Sequence, residues 1–298
     1  MGAGHVGATA AYALMLRALF REIILIDSDP ALAEAEAADL RDANALARPA
    51  QIRAGGYDEA ADAAIAVITA GAATHGDESR LSVAGRSAKI VRTCVDSLMA
   101  AGFKGIIVVA SNPVDLMAMV ALRRSGMEPA RVIGTGTLLD SNRLRQALSA
   151  RLDVAPGAIH AQVLGEHGDS EVVAFSGIRI GGMALEAFAP GAVDRQIVTK
   201  DVREAAYRIV AGKGYTSFGV ATAIVRICEA IVRNERAVMP VSTLLKGQYG
   251  IDDLYLSLPC ILGSSGLEKA LTPELDAAEI AALMASAAVL REAMAGIE

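Results

Sequence analysis

Gly2-Ala3-Gly4-His5-Val6-Gly7, followed by Glu22-Ile23-Ile24-Leu25-Ile26-Asp27, is the stretch on which the reading of the fold turns. A G-x-G-x-x-G pattern that opens a helix lets the chain turn tightly. It also brings backbone close to a pyrophosphate and aims a helix N-terminus at the phosphates. In a chain with 28 glycines the pattern alone is weak evidence. It gains weight from Asp27, which ends the next apolar run where an acidic side chain bonds ribose hydroxyls. Ser28, not an arginine, comes next, so a 2′-phosphate finds no partner there and NAD is favoured over NADP.

Outward from this stretch, residues 22–27, 64–70, 105–110 and 131–134 are short apolar runs of the kind a parallel sheet covers on both faces. Residues 6–20, 31–47, 82–101 and 115–125 carry helical patterns between them. The alternation predicts a doubly wound α/β domain over residues 1–137. The glycine pattern should itself follow a strand, yet only Met1 precedes Gly2, so the sheet is expected to lack its first strand. Either about five to eight residues of the natural protein precede Met1, the favoured reading, or the sheet is built without them.

Residues 138–298 read as a second, α+β domain that binds substrate. Residues 159–164 and 172–180 are expected strands around a polar loop, 200–212 and 217–233 helices, and 237–243 with 254–262 an antiparallel pair. A last helix is expected to open at Thr272 and Pro273, a cap followed by proline.

Composition narrows the function classes. The 298 residues are 53% hydrophobic and 21% charged, enough for a sizeable core. A net charge of −6 without a basic run argues against a nucleic-acid partner. The most apolar stretch, residues 105–122, is short and interrupted by Asn112, Pro113 and Asp115, so no membrane span is expected. Cys94, Cys228 and Cys260 fit neither a metal site nor a disulfide framework and read as buried apolar residues of a cytoplasmic protein. No secretory signal is read at the start of the chain.

Of four histidines, His167 lies in a polar turn, Gly165-Glu166-His167-Gly168-Asp169, between two apolar runs. Histidine titrates near neutrality and can exchange a proton with a hydroxyl or carbonyl oxygen. A solvated turn histidine would look the same. Asp140 and Arg143 lie one helical turn apart, so both can face one cleft. There the arginine could grip a carboxylate and the aspartate could orient an imidazole. A surface ion pair has the same spacing.

The order of motifs decides between these readings. Gly2-x-Gly4-x-x-Gly7, Ser111-Asn112-Pro113-Val114-Asp115, Leu139-Asp140-x-x-Arg143 and Gly165-Glu166-His167-Gly168-Asp169 resemble, in order and spacing, the L-lactate/malate dehydrogenase family. The chain looks closest to the bacterial L-lactate members. The resemblance implies a Rossmann domain and an NAD-dependent L-2-hydroxy acid dehydrogenase, most simply one interconverting pyruvate and L-lactate. His167 would be the acid/base, Asp140 its partner, and Arg143 the carboxylate clamp. Arg80 would be a mobile-loop arginine that closes over substrate and polarises its carbonyl. Asn112 would touch substrate and nicotinamide after a cis bond to Pro113, and Thr216 would line the pocket. Val6, Tyr57, Gly71, Ala72, Ala110 and Thr135 match cofactor-lining positions beside Gly2, Gly4, Gly7 and Asp27.

Thr74 stands where lactate members of this family carry Gln and malate members Arg. A neutral threonine cannot pair a second carboxylate, which disfavours malate and leaves room for a larger 2-oxo acid, as in an L-2-hydroxyisocaproate-like enzyme. Tyr215, where many relatives are small, could fill that room again, and His75 departs from the family's loop. Arg145 and His160 match a pair that binds fructose 1,6-bisphosphate between subunits, which implies a homotetramer or homodimer; an interface pair without effector fits equally. A nicotinamide-binding protein without turnover is the rival from another class.

Overall fold

A computed structural model describes residues 1–47, 50–72 and 83–297 of the chain. From the glycine turn the chain enters α1 (His5–Arg17) and then runs through β1 (Glu22–Leu25), α2 (Pro30–Asn44) and β2 (Gln51–Ala54). It continues through β3 (Ile65–Ile68), α3 (Ala84–Ala100), β4 (Ile106–Val109), α4 (Val114–Ser125), β5 (Val132–Gly134) and α5 (Leu138–Leu152). β1 pairs in parallel with β2, and β3, β4 and β5 pair in parallel with one another. Every side chain of β4 is buried, which is why it reads as an unbroken apolar run. β2 escaped the sequence reading because only Ile52 of its four residues is fully buried. Asp29 starts α2 by accepting the Ala31 and Leu32 N–H groups, with Pro30 pre-set for the first turn.

β1 and β3 are not bonded to each other, so the parallel strands form two sheets. The facing edges, with α1 behind them, line a cavity of about 520 Å³ that includes Ile23, Leu25, Ile65, Val67 and Leu14. At one end Met1, Gly2 and Ala3 stitch the two edges together. The Gly2 N–H donates to Ile26 O at 2.8 Å, and Met1 O accepts the Thr69 N–H at 2.9 Å.

The second half holds β6 (Ile159–His160), β7 (Val163–Leu164), β8 (Val172–Val173), β9 (Arg179–Ile180), β10 (Met183–Ala184), α6 (Leu185–Phe188), α7 (Arg195–Lys213) and α8 (Phe218–Val232). It closes with β11 (Ala237–Lys246), β12 (Asp252–Gly263), β13 (Gly266–Ala270) and α9 (Ala277–Ala295). The two long strands expected at 159–164 and 172–180 are each broken in two. β6 pairs with β9 while β7 pairs with β8, because a helical turn at Phe175–Gly177 carries the chain from one pairing to the other. The last helix opens four residues later than expected, at Asp276. Its side chain accepts the Glu279 N–H at 2.8 Å while Glu279 accepts the Asp276 N–H at 3.1 Å, a reciprocal cap that Thr272 does not make.

The β11–β12 pair does not stand apart. It continues the parallel strands in one six-stranded sheet of order β13-β12-β11-β5-β4-β3. The junction is Ser242 against Gly134, where any side chain on Gly134 would place its Cβ 2.7 Å from that of Ser242. The C-terminal segments thereby meet the ends of the parallel strands directly. Cys94, Cys228 and Cys260 are buried and unpaired. Among the described residues no helix is long and apolar enough to cross a membrane.

Candidate active site

The glycine turn is sterically fixed at two points. Gly2 has φ +88°, and a Cβ there would lie 2.6 Å from Ala70 N. A Cβ on Gly7 would lie 1.9 Å from Gly2 O, whereas one on Gly4 would meet nothing within 4 Å. Gly4 therefore faces open space at the start of α1, and no side chain caps that N-terminus. Leading N–H groups left this way make a site for phosphate oxygens, so the turn fits a dinucleotide's pyrophosphate. Asp27 closes the turn from behind. Its Oδ2 accepts the Ala3 N–H at 2.6 Å and its Oδ1 the Asp29 N–H at 2.9 Å. Burial alone would raise its carboxyl; the two N–H donors outweigh that and hold it below the usual carboxylate value.

Gly71 and Ala72, Ala110, and Thr135 follow the C-terminal ends of β3, β4 and β5, Tyr57 follows β2, and Val6 lies in the first turn of α1. These positions surround the crevice at which open α/β sheets take ligands. Gly7→Ala is expected to cost NADH affinity on the order of tenfold, since the Gly2 carbonyl must move to admit the methyl group. Fluorescence titration with NADH checks it.

His167 sits in the loop between β7 and β8, held along its backbone. Gly165 exchanges two 3.0 Å hydrogen bonds with Ser257, Ser286 Oγ accepts the Glu166 N–H at 2.9 Å, and Asp115 Oδ2 accepts the His167 N–H at 2.8 Å. The ring is held separately: His167 Nδ1 lies 2.5 Å from Asp140 Oδ2. Asp140, in the first turn of α5 and only 2% exposed, receives Arg143 Nη1 on its other oxygen at 2.8 Å. Burial would raise the Asp140 carboxyl, but the His167 and Arg143 charges pull it below its ordinary value, so it stays ionised at neutral pH.

Asn112 is exposed at a cis bond to the buried Pro113. Thr216 is half-buried between α7 and α8, and its neighbour Tyr215 stacks on His5 of the glycine turn, with ring centroids 3.8 Å apart and planes at 11°. Arg145, on α5, donates from Nε to Ala161 O at 3.2 Å; burial lowers its guanidinium pKa. His160 is exposed on β6, opposite Arg179. Arg80, Thr74 and His75 lie outside the described residues.

Two buried acids were given no role from the sequence. Asp115 is 1% exposed, and its Oδ1 accepts from Ser242 Oγ at 2.5 Å. Its signal was its place directly after Asn112-Pro113-Val114. Glu171 is 5% exposed, with no hydrogen-bond partner for Oε1 among the described residues. Burial and the nearby Asp140 charge push its carboxyl up to about 8, so it is neutral at pH 7. It followed a polar run that gave no sign of being covered.

A helix start ready for phosphate and, across the same strand ends, an imidazole backed by a buried carboxylate serve hydride chemistry coupled to proton transfer. The class is that of NAD-dependent oxidoreductases acting on CH–OH groups. Comparison narrows it. Residues 1–134 match the NAD-binding domain of lactate/malate dehydrogenases and residues 137–298 their α/β C-terminal domain. An L-lactate dehydrogenase of Thermus aquaticus is 40% identical, over 100% of this chain and 98% of the relative. The minor L-lactate dehydrogenase of Enterococcus mundtii in its ligand-bound form superposes with a TM-score of 0.96 at 35% identity, covering 100% of this chain and 96% of that one. Its unbound form superposes less closely, at 0.91 with 34% identity over the same shares. The chain belongs to the lactate/malate dehydrogenase family.

Proposed function

We propose that the protein is an NAD-dependent L-lactate dehydrogenase, reducing pyruvate and oxidising L-lactate. The observation that carries this reading is the row Arg143–Asp140–His167, in which one buried carboxylate holds a guanidinium on one oxygen and an imidazole on the other. Arg143 offers its fork to the substrate carboxylate. With Nδ1 committed to Asp140, Nε2 is the nitrogen that gives its proton to the carbonyl oxygen during reduction and takes it back during oxidation. Asp140 stabilises the imidazolium and fixes the ring's orientation, and Asn112 and Thr216 would border the substrate. When bound, NADH supplies the hydride for the carbonyl carbon. Gly2, Gly4, Val6 and Gly7 would hold its pyrophosphate, Asp27 its ribose, Tyr57, Gly71 and Ala72 its adenosine half, and Ala110 and Thr135 its nicotinamide half. Arg80, by the family resemblance, closes over substrate.

Thr74 disfavours a dicarboxylate, because a second charge left unpaired in a closed site costs several kcal/mol. Its small size supports a second reading with a larger 2-oxo acid. NADH consumption with pyruvate, oxaloacetate and 4-methyl-2-oxopentanoate tests both. Pyruvate is expected to give the highest kcat/KM and oxaloacetate the lowest. NADH binding without turnover of any of them would sink both readings in favour of a binder.

A homo-oligomer is part of the proposal, supported by exposed apolar side chains on neighbouring elements, among them Tyr207 and Val210 of α7 and Phe218 of α8. Arg145 and His160 are the proposed fructose 1,6-bisphosphate residues. An unchanged pyruvate half-saturation on adding the sugar bisphosphate to the same assay would remove that role.

A further inference from the structure

Asp115 lies in the first turn of α4, immediately beyond the cis bond that presents Asn112, and both its oxygens are used by other elements. Oδ2 accepts the backbone N–H of His167 at 2.8 Å, and Oδ1 accepts the hydroxyl of Ser242 on β11 at 2.5 Å. We propose that Asp115 is a positioning residue for the proton transfer, tying the Asn112 turn to the His167 backbone and keeping a negative charge beside the imidazole. This goes beyond the proposed roles of Asp140 and Arg143 and rests on the reading of His167 as the acid/base. The tie makes one piece of the cofactor-side turn and the proton donor, which come from opposite halves of the chain.

The charge matters as well as the grip. Among the described residues, the charged groups that act on Asp115 are His167 and Glu166 from the β7–β8 loop; β11 faces it with the neutral Ser242, and its neighbours on α4 from Val114 to Ala121 are buried and apolar. Burial pushes the Asp115 carboxyl up to about 6, against the pull of the Ser242 and His167 hydrogen bonds and the His167 charge. At pH 7 it is mainly ionised and favours the imidazolium. As pH falls through about 6 it takes up a proton, and that support is lost.

Asp115→Asn separates charge from grip. The Asn oxygen still accepts the His167 N–H and its amide donates to Ser242 Oγ, but the charge is gone. The readouts are the NMR titration of the His167 ring, assigned by its absence in His167→Asn, and the pH profile of kcat/KM for pyruvate. In Asp115→Asn the His167 midpoint is expected to fall by about half a pH unit or more, and the alkaline limb of the profile to move the same way. Asp115→Ala, which loses the grip too, is expected to lower kcat by about tenfold or more. Ser242→Ala keeps the carboxylate but removes a donor from it, so Asp115 takes up its proton at higher pH and the His167 midpoint is expected to fall below the wild-type one. A His167 titration in Asp115→Asn that superimposes on the wild type overturns the proposal, whatever happens to Tm. Should that variant not fold, a His167 titration in Ser242→Ala that superimposes on the wild type overturns it. The NMR comparison needs no turnover, so a failure of the lactate reading is seen separately, as inactivity of the wild type.

Discussion

His167→Asn is expected to lower kcat/KM for pyruvate by about 10³-fold while leaving NADH affinity within about twofold. Asparagine can occupy the ring's place and hydrogen-bond Asp140, but it cannot deliver a proton at neutral pH. The cofactor turn is built on Gly2, Gly7 and Asp27 and owes nothing to the β7–β8 loop. The variant also leaves the buried Asp140 with Arg143 as its remaining partner in the row, so the carboxyl should be harder to ionise. A carboxyl held below its unfolded pKa stabilises the fold above that pKa and loses the contribution as pH falls through the folded value. The stability gap between wild type and variant should therefore close only as pH falls through the folded Asp140 value, below the usual carboxylate range. Stopped-flow NADH oxidation, NADH fluorescence titration and Tm against pH check the three parts. Unchanged turnover would remove His167 from the chemistry.

Arg143→Gln is the second large effect, expected to raise KM for pyruvate on the order of 10²-fold or more. Removing one partner of a buried charged pair costs about 3–5 kcal/mol, and here the substrate carboxylate and Asp140 both lose the same cation. Because Asp140 also serves His167, kcat should fall with the rise in KM. Arg143→Lys separates the two effects. It retains a cation for Asp140, so kcat should recover more than KM, which depends on the lost fork. Steady-state kinetics at saturating NADH decide it, and a KM unchanged in both variants would show that the carboxylate is gripped elsewhere.

What could be read without coordinates was whatever lay in local pattern. The apolar runs around Ile24, Val67, Val108 and Ile133 announced β1, β3, β4 and β5, of which β4 and β5 are buried throughout while β1 and β3 are only partly covered. The pairing of residues 159–180 was not readable, because a two-residue strand has no periodicity to detect and its partner is set by the turn at Phe175–Gly177. Asp276 was passed over because Thr272-Pro273 carries an equally good local signal; the capping box with Glu279 is what wins. His167, Asp140 and Arg143 were singled out by motif and spacing, and the structure brings the three into contact. Asp115 and Glu171 were not assigned roles, because their meaning comes from burial and from contacts more than 25 residues away in the chain, which no window of sequence displays.

The stacked rings of His5 and Tyr215 join the turn that would receive the cofactor's phosphates to the loop that carries Thr216. A ligand that moved either ring would have to break this stacking, so binding at one end is expected to bear on the other. Thermodynamic linkage makes that influence reciprocal: the factor by which a bound dinucleotide alters affinity for a 2-oxo acid equals the factor by which the acid alters affinity for the dinucleotide. A point substitution at either ring, which removes that 3.8 Å contact, is expected to change this coupling factor.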